Sequence, residues 1–159
     1  IINQNDFEKQ LIETFNRTNI ILEHFLKKNS KYYGIERNDN KALLNPILWE
    51  FGHIIFFWEH MCLKYFDIIP VTNPALYDSF RIKREDRFSD NLISFPKLIK
   101  LYEEIKINVF NIFYSKYNYL SKYLIRLAHL HHEMHNESFI FTQLNLKINI
   151  FPKKEIEIL

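Results

Sequence analysis

Two histidines four residues apart, His131 and His135, stand in the segment Ala128-His129-Leu130-His131-His132-Glu133-Met134-His135-Asn136-Glu137. On a helix, at about 100° per residue, they lie roughly 40° apart on one face. Leu124, Leu127 and Ser138 continue that face, so both imidazoles are expected to point toward the apolar side, where unpaired ring nitrogens are costly unless something binds them. Alone, such a pair fits a surface histidine cluster, or core histidines bonded to carbonyls, as well as it fits a metal site. His53 supplies the context, because it falls among Phe51, Ile54, Ile55, Phe56 and Phe57, where a lone imidazole is hard to justify. One histidine from one helix and an i,i+4 pair from another can converge on a single ion inside a bundle.

Three neutral imidazoles suit Fe, Zn, Ni or Cu, so the ligands alone do not choose the metal. A zincin is not expected, since its HExxH motif puts the general base directly after the first histidine, and His132 holds that place. Glu133 follows on another face. His60 shares a face with His53 but lies about 10 Å along the axis, outside the ligand set. Glu50, one turn before His53, reads as a helix-surface pairing residue, with hydrogen-bond acceptor behind a ligand as the alternative. Trp49 and Trp58 read as core or wall.

The elements that must position these residues are helices. Gly occurs only at Gly34 and Gly52, too seldom for a sheet protein with many tight turns, and apolar residues recur at helical spacing. A first helix is expected over about 6–28, with Phe7, Leu11, Phe15, Ile21 or Leu22, and Phe25 or Leu26 as its stripe and Asn5 or Asp6 as its cap. A polar loop over 29–41 follows. Asn45-Pro46 opens a second helix to about residue 65, apolar almost all round and therefore deeply buried. Residues 66–95, broken by Pro70 and Pro74, form a long crossover of the kind that tends to be functional. Ser94-Phe95-Pro96 opens a third helix to about 119, and Ser121 a fourth to about 146. The expected architecture is an all-α four-helix bundle over 1–148, with an extended tail over 149–159 that could lead into another domain.

With 159 residues and 47% hydrophobic composition, one domain with an unstapled core is the default. Twenty-one basic against nineteen acidic side chains leave a charge of +2, too small to imply nucleic acid or an anionic membrane as partner. Cys62 is the single cysteine, which rules out an internal disulfide or a CxxC pair and fits a reducing, cytoplasmic compartment. No apolar run approaches the roughly 20 residues of a membrane span, and there is no signal-peptide pattern. The start at Ile1, without an initiator Met, suggests a fragment of something longer.

Asn45-Pro46-Ile47-Leu48-Trp49-Glu50-Phe51-Gly52-His53, followed by Phe57 and Glu59, resembles the NPxxWExGH segment of DinB-like domains in iron(II)-dependent sulfoxide synthases of ovothiol and ergothioneine biosynthesis. Tyr77-Asp78-Ser79 followed by Arg87 resembles the YDS segment of the ovothiol branch, 5-histidylcysteine sulfoxide synthase. His131-x-x-Met134-His135-x-Glu137 resembles that branch's HExMHxE, with His132 in place of the first Glu. The three motifs occur in family order across most of the chain.

The resemblance implies a DinB-like bundle in which His53, His131 and His135 hold a non-haem Fe(II). It implies small-molecule substrates: cysteine or a cysteinyl peptide, joined through sulfur to the imidazole carbon of histidine or trimethylhistidine. It implies too a C-terminal domain resembling the formylglycine-generating enzyme, which completes the active site; nothing in these residues corresponds to it. Where the ovothiol branch tends to carry a histidine after YDS, this chain has Arg84, and the pair Arg84/Arg87 resembles the basic pair with which ergothioneine-type enzymes hold a substrate carboxylate. Arg84, Arg87 and Asp78 are thus the expected substrate contacts, Asp78 by ordering the loop, and substrate choice between the branches stays open. A DinB-type thiol transferase or hydrolase using Zn or Ni, and a non-catalytic helical interaction module, are the competing readings.

Overall fold

The computed structural model describes residues 2–28 and 44–145. The expected loop over 29–41 and the tail over 149–159 lie outside the described residues, as does the expected helix end at 146. Among the described residues the chain is all-helical: α1 (Gln4–Lys28), α2 (Ile47–Met61), the short α3 (Pro74–Tyr77), α4 (Phe95–Ser115) and α5 (Tyr119–Asn145). The four long helices form a bundle in which α2 packs on α4 and α5, and α5 also on α1. No described helix is long and apolar enough to cross a membrane.

Helix α1 buries the expected stripe, with Phe7, Leu11, Phe15, Ile21, Leu22 and Phe25 all in the core. It starts earlier than expected because Asn3, not Asn5 or Asp6, caps it: the Asn3 Oδ1 accepts from Asp6 N at 2.9 Å. Asp6 instead lies in the first turn, where a carboxylate meets the positive end of the helix dipole. Helix α5 begins at Tyr119 through a reciprocal cap. Ser121 N donates to Asn118 Oδ1 at 3.0 Å and Asn118 N donates to Ser121 Oγ at 2.8 Å, so Ser121 closes a capping box opened by Asn118.

Helix α2 is buried nearly all round, Glu50, His53 and Glu59 included. It ends at Met61, before the expected residue 65, and a 3-10 turn, Leu63–Phe66, carries the chain to Asp67, whose φ of 63° turns it away. Asn45 does not cap α2, since its Oδ1 accepts from Arg87 Nη1 at 2.8 Å.

What α4 and α5 leave uncovered of α2, the crossover covers. Glu59 accepts from Val71 N (3.0 Å), Thr72 N (2.9 Å) and Thr72 Oγ1, and His60 Nε2 donates to Thr72 O at 2.9 Å. Asn73 then caps α3, and Trp49 Nε1 donates to Leu76 O at 2.7 Å. Gly52 lets Tyr77 approach the helix: a Cβ there would sit 2.2 Å from Tyr77 Cε1. Trp49, Phe56, Tyr77 and Ile82 form a second apolar cluster under the crossover.

The orientation of α5 differs from the sequence expectation. Its deepest face carries Leu124, Ile125, Ala128, His129, His132, His135, Asn136 and Phe139, while Leu127 is exposed and His131 is half-buried at the edge. His129, His132 and Asn136 hold core positions there because each finds a partner, whereas the buried amide of Gln143 has none. Trp58 Nε1 donates to His132 Nδ1 at 3.1 Å, which puts the His132 proton on Nε2, facing Thr18 Oγ1 at 2.8 Å; Thr18 donates onward to Asn136 Oδ1 at 2.6 Å. His129 is held likewise, between Thr14 Oγ1 at 2.8 Å and Arg126 Nη1 at 3.2 Å. A fully bonded buried network of this kind is tolerated where a half-bonded one is not.

Candidate metal centre

Between α2, α5 and the crossover lies a cavity of about 380 Å³, bordered by His53, His131 and His135 and by Trp49, Phe56, Phe57, Asp78 and Arg87. Among the described residues these three histidines are the group able to hold a metal ion, with one donor atom of each within 4.8 Å of the others. His131 Nε2 lies 3.2 Å from His53 Nε2 and 3.2 Å from His135 Nε2. An ion with bonds of about 2.0–2.2 Å and ligand angles of about 90–109° sets its donors about 2.8–3.6 Å apart. Two of the three edges therefore already have the length that a shared ion requires.

The ring protons follow from the partners on the far side. His53 Nδ1 is 2.7 Å from the Tyr77 carbonyl, which can only accept, so Nδ1 carries the proton and Nε2 a lone pair. His135 Nδ1 is 2.8 Å from Glu50 Oε1, with the same consequence. His131 Nδ1 is buried without a partner. One neutral ring can donate from Nε2 to only one of its two neighbours, so at least one 3.2 Å contact sets lone pair against lone pair. A cation at the centre removes that conflict; the residues fit a metal.

Electrostatics agree with neutral ligands. Burial, then the neighbouring His135, lowers His53 from 6.5 to about 4. Burial, followed by His135 and His53, lowers His131 to about 2. Both rings are thus unprotonated near neutrality, the form that binds metals. Aromatic stacking sets their planes: Phe57 covers His131 at 3.6 Å and 9°, and Trp49 covers His53 at 4.9 Å and 10°.

Arg87 borders the cavity, with its guanidinium 4.1 Å from the Trp49 ring centroid and its Nε buried without a partner. Burial, then nearby Arg84, lowers its pKa, while the Glu50 carboxylate favours its charge. Asp78 also borders the cavity and orders the loop as expected, accepting from Phe80 N at 3.0 Å and pairing with Arg81 Nε at 3.2 Å. Arg84 is exposed, at the start of the 3-10 turn Arg84–Arg87, and is outside the cavity lining. His60 and Glu133 take no part, the first bonded to Thr72 O and the second paired with Arg17 at 2.6 Å.

Glu50 departs from the helix-surface reading: it is fully buried and bonded to a candidate ligand. An α2 apolar almost all round leaves no surface for a carboxylate one turn from His53, and that was the signal available in the sequence. The Tyr77 carbonyl, the Phe57 stack and the Asn45 clasp on Arg87 had no such signal, because each joins segments distant in the chain. Compared with known proteins, the sequence matches no family model and no curated protein.

Proposed function

We propose that this chain is the iron-binding domain of a non-haem iron(II) sulfoxide synthase of ovothiol or ergothioneine type, joining a cysteine thiol to the imidazole carbon of histidine or trimethylhistidine with O2. The observation that carries the reading is the convergence of three imidazoles, His53, His131 and His135, on one point beside a cavity that Arg87 borders. The overall reaction balances as thiol plus imidazole C–H plus O2 giving a C–S bond, a sulfoxide oxygen and one water. His53, His131 and His135 would hold the ferrous ion, which would supply redox-active Lewis-acid chemistry there.

The chain's own residues bind, orient and exclude water. Arg87 offers a planar donor array to a substrate carboxylate, with its buried Nε still unpaired. Trp49, Phe56 and Phe57 give the cavity apolar walls that keep water from the ligands. Tyr77 and Glu50 fix two of the three imidazole tautomers from behind. A C-terminal domain of the formylglycine-generating-enzyme type would close the open side of the cavity.

The test is anaerobic purification with metal analysis, then incubation with Fe(II), O2, cysteine and either histidine or its trimethylated form, with mass detection of a thioether sulfoxide. The expected result is iron at one equivalent and no turnover by these residues alone, because half a pocket lacks the orientation that makes the reaction effectively unimolecular. Robust turnover would sink the two-domain requirement. Preference for zinc or nickel, with thiol transfer or hydrolysis, would favour the DinB-type transferase; failure to bind any transition metal would favour the interaction module.

A further inference from the structure

Helix α2 buries two glutamates, and they are bonded very differently. Glu59 accepts three hydrogen bonds from Val71 and Thr72 with both of its oxygens, and ties the crossover to the helix. Glu50 is completely buried yet has one bond, from His135 Nδ1 at 2.8 Å, while its Oε2 has no partner at all. A buried carboxylate with a free oxygen is costly unless positive charge lies close by. Arg87 is a cation whose charge the Glu50 carboxylate favours. The remaining compensation lies in the direction His135 points, through its ring to Nε2, where the other two imidazoles converge.

We infer that Glu50 is a positioning residue of the metal centre: through His135 it fixes the ligand's tautomer and makes its Nε2 a stronger donor, at a cost in stability to the metal-free protein. The carboxylate pulls on the Nδ1 proton, which adds electron density at Nε2, and the cation there neutralises the buried charge. Glu50 and the metal therefore stabilise each other, whereas Glu59 serves the fold alone. The inference rests on the metal-centre reading and is independent of which reaction the centre supports.

The experiment compares the full chain with Glu50→Gln and Glu59→Gln, using Zn(II) affinity by competition with a chromophoric chelator, the Co(II) absorption spectrum, and melting of the metal-free proteins. Gln keeps the shape and an acceptor oxygen for His135 but not the charge. Expected for Glu50→Gln are Zn(II) affinity weaker by about 10–100-fold, a displaced Co(II) spectrum, and a metal-free melting temperature equal to or above that of the parent. Expected for Glu59→Gln are a lower melting temperature and Zn(II) affinity within about threefold of the parent, since the ligands stay in place. A Glu50→Gln protein that binds Zn(II) like the parent, or that melts well below it without metal, overturns the inference. A parent chain that takes up neither Zn(II) nor Co(II) removes the metal-centre reading, and this inference with it.

Discussion

Gly52 and Tyr77 touch so closely that no other residue fits between α2 and the crossover: a Cβ on Gly52 would lie 2.2 Å from Tyr77 Cε1 and 2.9 Å from Cζ. The tyrosine cannot retreat, because it is fully buried and its hydroxyl accepts from Ile93 N at 2.8 Å. The same residue's carbonyl accepts from His53 Nδ1. The contact thus sets where the crossover stands and which way His53 faces.

Gly52→Ala is therefore expected to destabilise the protein despite the better helix propensity of alanine. Overpacking costs about 1–3 kcal/mol, and the propensity gain returns at most about 1 kcal/mol. Displacing Tyr77 also loosens the bond that orients His53, so Zn(II) affinity falls together with stability. Urea unfolding and metal titration of the same preparation check both; an unchanged affinity would separate the crossover from the metal centre.

Single alanine substitutions of His53, His131 and His135 are each expected to abolish binding of one tight equivalent of metal, with the folded helix content kept. In the parent, metal at 100 times its Kd adds about 2.7 kcal/mol of stability, and a chelator removes it. Thermal melts with and without Zn(II) or Fe(II) measure this, and the metal-dependent increment should vanish in all three variants.

Acid is expected to unfold the metal-free protein well above the usual carboxylate range. Burial, reinforced by His129, lowers His132 from 6.5 to about 3, and burial, reinforced by Arg126, lowers His129 to about 4. Below about 6.5 the unfolded chain takes up protons that the folded protein refuses, so stability is full above that pH and is lost progressively as pH falls toward 4 and then 3. Urea midpoints should stay nearly level from about pH 7.5 to about pH 6.5 and drop steadily from there to about pH 5; a flat profile over that lower range contradicts the buried neutral imidazoles.

Arg87 and Arg84 should separate in ligand binding. Loss of a charge-assisted bond costs about 1.5–3 kcal/mol, about 10–150-fold in Kd, so Arg87→Ala is expected to weaken binding of cysteine or histidine to the Zn(II)-loaded protein by that factor. Arg84→Ala removes an exposed charge outside the cavity lining and is expected to change Kd by less than about threefold. Isothermal titration distinguishes them, and equal losses would return Arg84 to the site.

Much of this arrangement was legible in the sequence where periodicity carried it. The stripe of α1, the deep burial of α2 and the convergence of His53 with the pair on α5 all follow from spacing and residue type. The rotation of α5 did not, because its core positions are filled by His129, His132, Asn136 and Gln143, which a hydrophobic count scores as surface. Caps were displaced for a different reason. Asn3, Asn5 and Asp6, or Asn118 and Ser121, are chemically equivalent candidates a few residues apart, and Asn45 is drawn off by an arginine that only the folded crossover delivers.

The stack of Arg87 on Trp49 on His53 has a consequence for observation. An indole in contact with both a guanidinium and a candidate ligand has its emission set by both neighbours, so metal entry at His53 or a carboxylate arriving at Arg87 changes its fluorescence. The second tryptophan, Trp58, is buried in the core against His132 and borders no part of the cavity. With Trp58→Phe as background, the protein becomes its own optical sensor, reporting occupancy of the centre without any added label.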